Sequence, residues 1–146
     1  MKLTAKIFVV FIITVLALVV LWTKQASVDQ SLLEPAPVYK SRELEGGGIT
    51  MTITPKILTR QKPPSFEVIL DTHSVDLSFD LADTAKLKDI NKTLYGQASW
   101  EGDPPGGHHR KGILTFSESL RGGADAVTLT FTDIAGVPSW EFRFDI

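Results

Sequence analysis

The chain has 146 residues, 43% of them hydrophobic and 22% charged, with 11 glycines, 8 prolines and no cysteine. That is one domain's worth of chain, and it excludes disulfides, thiolate metal sites, thiol catalysis and a lipid-modified N-terminal cysteine. The formal charge of −2 hides an asymmetry: all 17 acidic residues follow position 26, against 12 of the 15 basic ones. So acidic a remainder argues against nucleic-acid binding, which needs a cationic surface to displace counterions from phosphates.

Residues 1–6 form a short basic leader carrying Lys2 and Lys6. Residues 7–22 then read IFVVFIITVLALVVLW, sixteen positions without a charge. Such a run partitions from water into hydrocarbon, where a helix satisfies its own backbone. The expected span is a transmembrane signal-anchor over residues 7–23. Cleavage by a signal peptidase is the alternative, and it would give a secreted protein. The segment TKQAS that follows puts Lys24 where a small residue is wanted before Ala26, which favours retention. Trp22 suits the interfacial aromatic belt, and Lys2 with Lys6 predicts an N-in, C-out single pass in the cell membrane. The rest of the chain is therefore expected outside the cytoplasm.

Residues 24–48 read as a flexible tether, with Pro35, Pro37, mixed charge and little periodicity. Gly46, Gly47 and Gly48 mark its end. A strand pattern follows these glycines, with neither a Lys-Ser/Thr pair nor a helix start, so a phosphate loop is not indicated.

From residue 49 to 146 the dominant period is two. Ile49, Met51 and Ile53 alternate with threonines, and Phe66, Val68 and Leu70 repeat the pattern. Residues 55–64 read as a connection. Val75, Leu77 and Phe79 suggest a third apolar face, and residues 81–88 a strand or a single helical turn. Asp89 to Lys92 has turn chemistry. Further strands are expected over residues 94–100 and 112–117, at Val127, Leu129 and Phe131, and at Trp140, Phe142, Phe144 and Ile146. About seven strands in a hundred residues predict an all-β fold, an immunoglobulin-like two-sheet β-sandwich behind one N-terminal transmembrane helix. A small open β-barrel is the alternative. The closing aromatics and Ile146 are expected in the core, each contributing about 1.5–3 kcal/mol on burial.

The segment WEGDPPGGHHRKG, residues 100–112, carries the functional lead. Its prolines and glycines make a tight loop, followed at once by His108, His109, Arg110 and Lys111. The third histidine, His73, lies in DTHSVD just past a predicted strand. His73, His108 and His109 are thus candidate ligands for copper or zinc, which neutral imidazole binds well. Asp71 and Asp103, with Asp76 and Glu101 near them, could complete such a site or orient a ring. Against this, adjacent strand residues face opposite ways, so His108 and His109 converge only if the loop persists through both. The same cluster, through Arg110 and Lys111, could contact an anionic group. Alternatively it is a docking surface with Trp100 as an anchor, and the histidines are structural. No nucleophile elbow, thiol or phosphate loop is present, so catalysis has no motif behind it.

FEVILDTHSVDLSFDL, WEGDPPGGHHRKGILTF and the closing WEFRFDI resemble a family of N-terminally anchored or secreted prokaryotic domains that pair a THS segment with a GDPPGGHHR loop. The resemblance spans residues 49–146 and brings no established activity, substrate or cofactor with it. It implies that Thr72, His73, Gly107, His108, His109 and Arg110 belong to one site. The expectation is a membrane-anchored, non-enzymatic binding module with a copper or zinc site at its histidines. Its alternative is an interaction or accessory domain meeting another membrane or envelope protein.

Overall fold

The computed structural model describes residues 38–146, so the anchor expected over residues 7–23 lies outside the described residues. Eight strands and one short helix follow in order: β1 (Arg42–Gly46), β2 (Ile49–Ile57), β3 (Ser65–Thr72), α1 (Leu81–Thr84), β4 (Ala85–Asp89), β5 (Ala98–Gly102), β6 (His109–Phe116), β7 (Ala126–Ile134) and β8 (Val137–Asp145). They form two antiparallel sheets, one in the order β1-β2-β3-β6-β5 and the other β4-β7-β8. The fold is all-β, as the period of two predicts.

One core lies between the sheets. Met51, Ile53, Phe66, Val68, Leu70, Leu114 and Phe116 come from the larger sheet, and Leu87, Leu129, Phe131, Trp140 and Phe142 from the smaller. Phe66 and Phe144 join the sheets directly, with ring centroids 5.7 Å apart. Trp140, Phe142 and Phe144 are buried as expected, but Ile146 is partly exposed beyond the end of β8.

Three readings of the sequence change. The tether expected up to residue 48 runs into strand β1, paired Arg42↔Ile53 through Gly46↔Ile49. The first four of its residues RELEG are exposed and only Gly46 is half-buried, so no alternation betrays them. Gly47 and Gly48 are the two central residues of a hairpin turn, at φ 54° and 80°, a geometry that right-handed strand twist favours. A side chain at Gly47 would also collide with the Ala135 carbonyl. Next, Val75, Leu77 and Phe79 form no strand; they lie in the irregular crossing between the sheets. Finally, residues 81–88 divide into a helical turn, capped by the Asp80 carboxylate on the Ala82 and Asp83 N–H groups, and strand β4. Among the described residues, no helix is long and apolar enough to cross a membrane.

The registers sort the loops into two poles. Residues 46–48, 72–80, 103–108 and 135–136 gather at one end. Residues 38–41, 58–64, 89–97 and 117–125, with Ile146, gather at the other.

Candidate functional site

The THS and GDPPGGHHR segments meet at the first pole. Strand β3 ends on Thr72, whose N–H donates to the His108 carbonyl at 2.9 Å. The buried Thr72 hydroxyl donates to the Gly48 carbonyl at 2.7 Å and accepts the N–H groups of Ser74 and Val75. One threonine therefore ties the β1–β2 turn to the crossing after β3. Chain reversal next to a buried hydroxyl is what makes a Thr useful here.

The crossing and the proline loop are then sewn together. Leu77 N–H donates to the Gly107 carbonyl at 3.1 Å, and Gly106 N–H donates back to the Leu77 carbonyl at 2.9 Å. Gly107 N–H donates to Asp76 Oδ1 at 3.0 Å. Gly106 and Gly107 lie at φ 113° and 76°, which side-chain-bearing residues rarely adopt. Asp103 closes the loop's other side. Its carboxylate accepts Lys111 N–H at 2.8 Å, and its carbonyl accepts Trp100 Nε1–H at 2.9 Å.

Arg110 is the centre of this arrangement, and only 1% of it is exposed. Its Nη1 donates to the carbonyls of Leu77 at 2.9 Å and Phe79 at 2.7 Å. The guanidinium lies over two rings, 5.8 Å from the Phe79 centroid and 5.6 Å from that of Trp100, a favourable place for a delocalised cation. Burial pulls its pKa below the usual arginine value, and the carboxylates of Asp80 and Asp103 partly oppose that shift. Trp100 reaches the guanidinium because it passes over Gly102 and Gly112, where an added Cβ would clash. Trp100 is thus half-buried as a wall for Arg110.

The histidines part ways. His109 opposes Asp71 across β3 and β6, and its Nδ1–H donates to Asp71 Oδ1 at 2.6 Å on the exposed face of the sheet. A carboxylate only accepts, so the proton of this bond sits on Nδ1. His73 and His108 are exposed in the pole. Among the described residues, no three histidine, aspartate or glutamate side chains come together as a metal-holding group. The copper or zinc set of His73, His108 and His109 is therefore not assembled. His73 and His108 stay in the exposed loops, whereas His109 is the first residue of β6 and is paired with Asp71. Lys111 pairs with Glu67 at 3.3 Å while staying largely exposed, whereas Arg110 is buried, so the two cations do not share one surface.

Sequence reasoning missed the buried role of Arg110. The signal was present, since 110, 112, 114 and 116 share one parity and Leu114 and Phe116 are core. It also missed a buried pair at the far pole. Tyr95 donates its hydroxyl to Asp89 Oδ2 at 2.7 Å, while Asp89 Oδ1 accepts the N–H groups of Asn91 and Thr93. No family model, curated protein or solved structure matches the chain.

Proposed function

We propose that the chain is a membrane-anchored, extracytoplasmic binding module of immunoglobulin type that engages another membrane or envelope protein, without catalysis. The anchor and orientation rest on the apolar run of residues 7–22 and on Lys2 and Lys6. The finer fold assignment is supported by strand order. With β1 set aside as an added edge, β2-β3-β6-β5 and β4-β7-β8 follow the A-B-E-D and C-F-G arrangement of constant-type domains. In that comparison the pole holding residues 72–80 and 103–108 corresponds to the end that variable domains use for recognition. That is analogy of fold.

The observation that carries the reading is the brace beneath the exposed loop. Leu77, Gly106, Gly107, Asp76 and Arg110 hold residues 103–108 in one shape before any partner arrives. A loop already ordered loses less entropy on binding than a free one. His73, His108, Pro104 and Pro105 are the exposed groups presented on it. In this reading Thr72, His109 and Arg110 are structural, and the surface around them does the binding.

The test is a photoreactive residue at His108 in the full chain, in its own membrane, with Thr52 on the sheet face as control. A discrete polypeptide adduct is expected at 108 and not at 52, and Asp76→Ala should weaken it. Equal adducts at both positions, or none, would overturn the proposal. Titration with Cu(II) and Zn(II) separates the competing view. Stoichiometric binding lost in both His73→Ala and His108→Ala would make this a metal-handling domain instead.

A further inference from the structure

The second pole differs in chemistry from the first. Its segments are bonded into one surface: Tyr39 Oη to the Leu58 carbonyl, Arg60 Nη2 to that of Ala124, Ser117 N–H to that of Gln97 and Ile146 N–H to that of Asp125. Four of the five large hydrophobic side chains most exposed among the described residues lie there: Val38 at 97%, Leu94 at 58%, Ile90 at 50% and Ile146 at 36%. Around them stand six exposed cations, Lys40, Arg60, Lys62, Lys88, Lys92 and Arg121. The exposed carboxylates of this pole are fewer: Glu118, Asp125, which Arg60 pairs, and Asp145, beside Arg143. Asp89 does not count against the cations, because it is buried on Tyr95. The opposite pole is acidic, with Asp71, Asp76, Asp80, Asp103 and Asp133 exposed and Arg110 withdrawn into the interior.

This basic, aliphatic pole is also where the described chain begins, at Val38. The apolar run ends at Trp22, and the sixteen residues from 23 to 38 can span at most ~55 Å. We infer that this pole docks on the anionic headgroup surface of the membrane that carries the anchor, with Ile90 and Leu94 entering the headgroup boundary. The inference rests on the anchored reading given above. Aliphatic side chains ringed by lysines suit that boundary: the stems bury, and the ammonium groups reach lipid phosphates. Docking there turns the braced loop at the other pole away from the bilayer.

Because the chain has no cysteine, Leu94→Cys and His108→Cys each give a single labelling site. The full chain, labelled with a fluorophore, is reconstituted into vesicles of phosphatidylcholine alone or mixed with phosphatidylglycerol, both containing doxyl-labelled quencher lipid. We expect quenching at 94 several-fold above that at 108 in the anionic vesicles. It should fall toward the level at 108 in phosphatidylcholine alone, in high salt, and in Lys88→Glu/Lys92→Glu. An Ile90→Cys label should behave as 94 does. Equal quenching at 94 and 108, or quenching at 94 that ignores lipid charge, would overturn the inference. Flotation of the same samples in high salt reports on the anchor separately. A chain that floats only at low salt, with 94 quenched, would refute the anchor and keep the docking surface. A chain that floats with 94 unquenched, yet cross-links from 94 to a polypeptide in its own membrane, would assign the pole to a protein and refute lipid docking.

Discussion

Arg110 donates from its buried guanidinium to the Leu77 carbonyl, 2.9 Å away and thirty-three residues earlier in the chain. The bond holds the crossing between the sheets against strand β6. Arg110→Ala would remove the pin, leave the Phe79 carbonyl unpaired and open a hole beside Trp100. A loss of about 2–4 kcal/mol is expected in urea denaturation followed by tryptophan fluorescence. Arg110→Lys should fall between the parent and Arg110→Ala, because an ammonium can still donate to a carbonyl but lacks the flat, delocalised group that packs against Phe79 and Trp100. A variant as stable as the parent would show that the guanidinium is not a pin.

Thr72 and His109 are neighbours in space with different expected weights. Thr72→Val keeps the shape but strands the Gly48 carbonyl and two N–H groups, at a cost of about 1–3 kcal/mol. His109→Ala breaks only an exposed pair with Asp71 and should cost under about 1 kcal/mol. Thermal unfolding of the two variants side by side checks the order. The reverse ranking would make the imidazole the lock.

The Asp89–Tyr95 pair predicts stability that fades at both ends of the pH scale. Burial alone would raise the Asp89 pKa, but the Tyr95 hydroxyl and the N–H groups of Thr93 and Asn91 outweigh it and hold the carboxyl below its ordinary 3.8. Its contribution is therefore whole above the unfolded value and is lost as pH falls through the folded one. Burial first, and then Asp89, raise the Tyr95 pKa above its ordinary 10.0. That contribution is whole below 10.0 and is lost as pH rises through the folded value. Urea midpoints across pH should show that Asp89→Asn flattens the acid limb and Tyr95→Phe the alkaline one. An acid limb unchanged in Asp89→Asn would place the titrating carboxyl elsewhere.

Strand β8 closes the core through its aromatics and not through its last residue. Phe144→Ala should cost about 3–4 kcal/mol, since the ring packs on Phe66 across the sheets. Removing Ile146 alone should cost under about 1 kcal/mol, because much of that side chain is already in water. Differential scanning calorimetry of the two would settle it, and equal losses would count against this division.

The sequence by itself determined the all-β class, because alternation in β2, β3, β7 and β8 is local and each strand has one wet face and one dry face. It also placed the Asp89–Lys92 turn, whose carboxylate bonds N–H groups two and four residues on. Strand β1 was hidden, since RELEG gains its place from pairing with β2 and has almost no buried side chain to announce it. Val75, Leu77 and Phe79 alternate like a strand, yet they are held by loop bonds, Val75 to Thr72 and the other two to Gly106, Gly107 and Arg110. The grouping of THS with GGHHR was legible as motif, but its chemistry depended on where the loop stops. Starting β6 at His109 leaves that imidazole on the exposed face with Asp71 and turns Arg110 inward. That single position follows from pairing Asp71 with His109, a contact between residues thirty-eight apart, and only the tertiary structure decides contacts of that range.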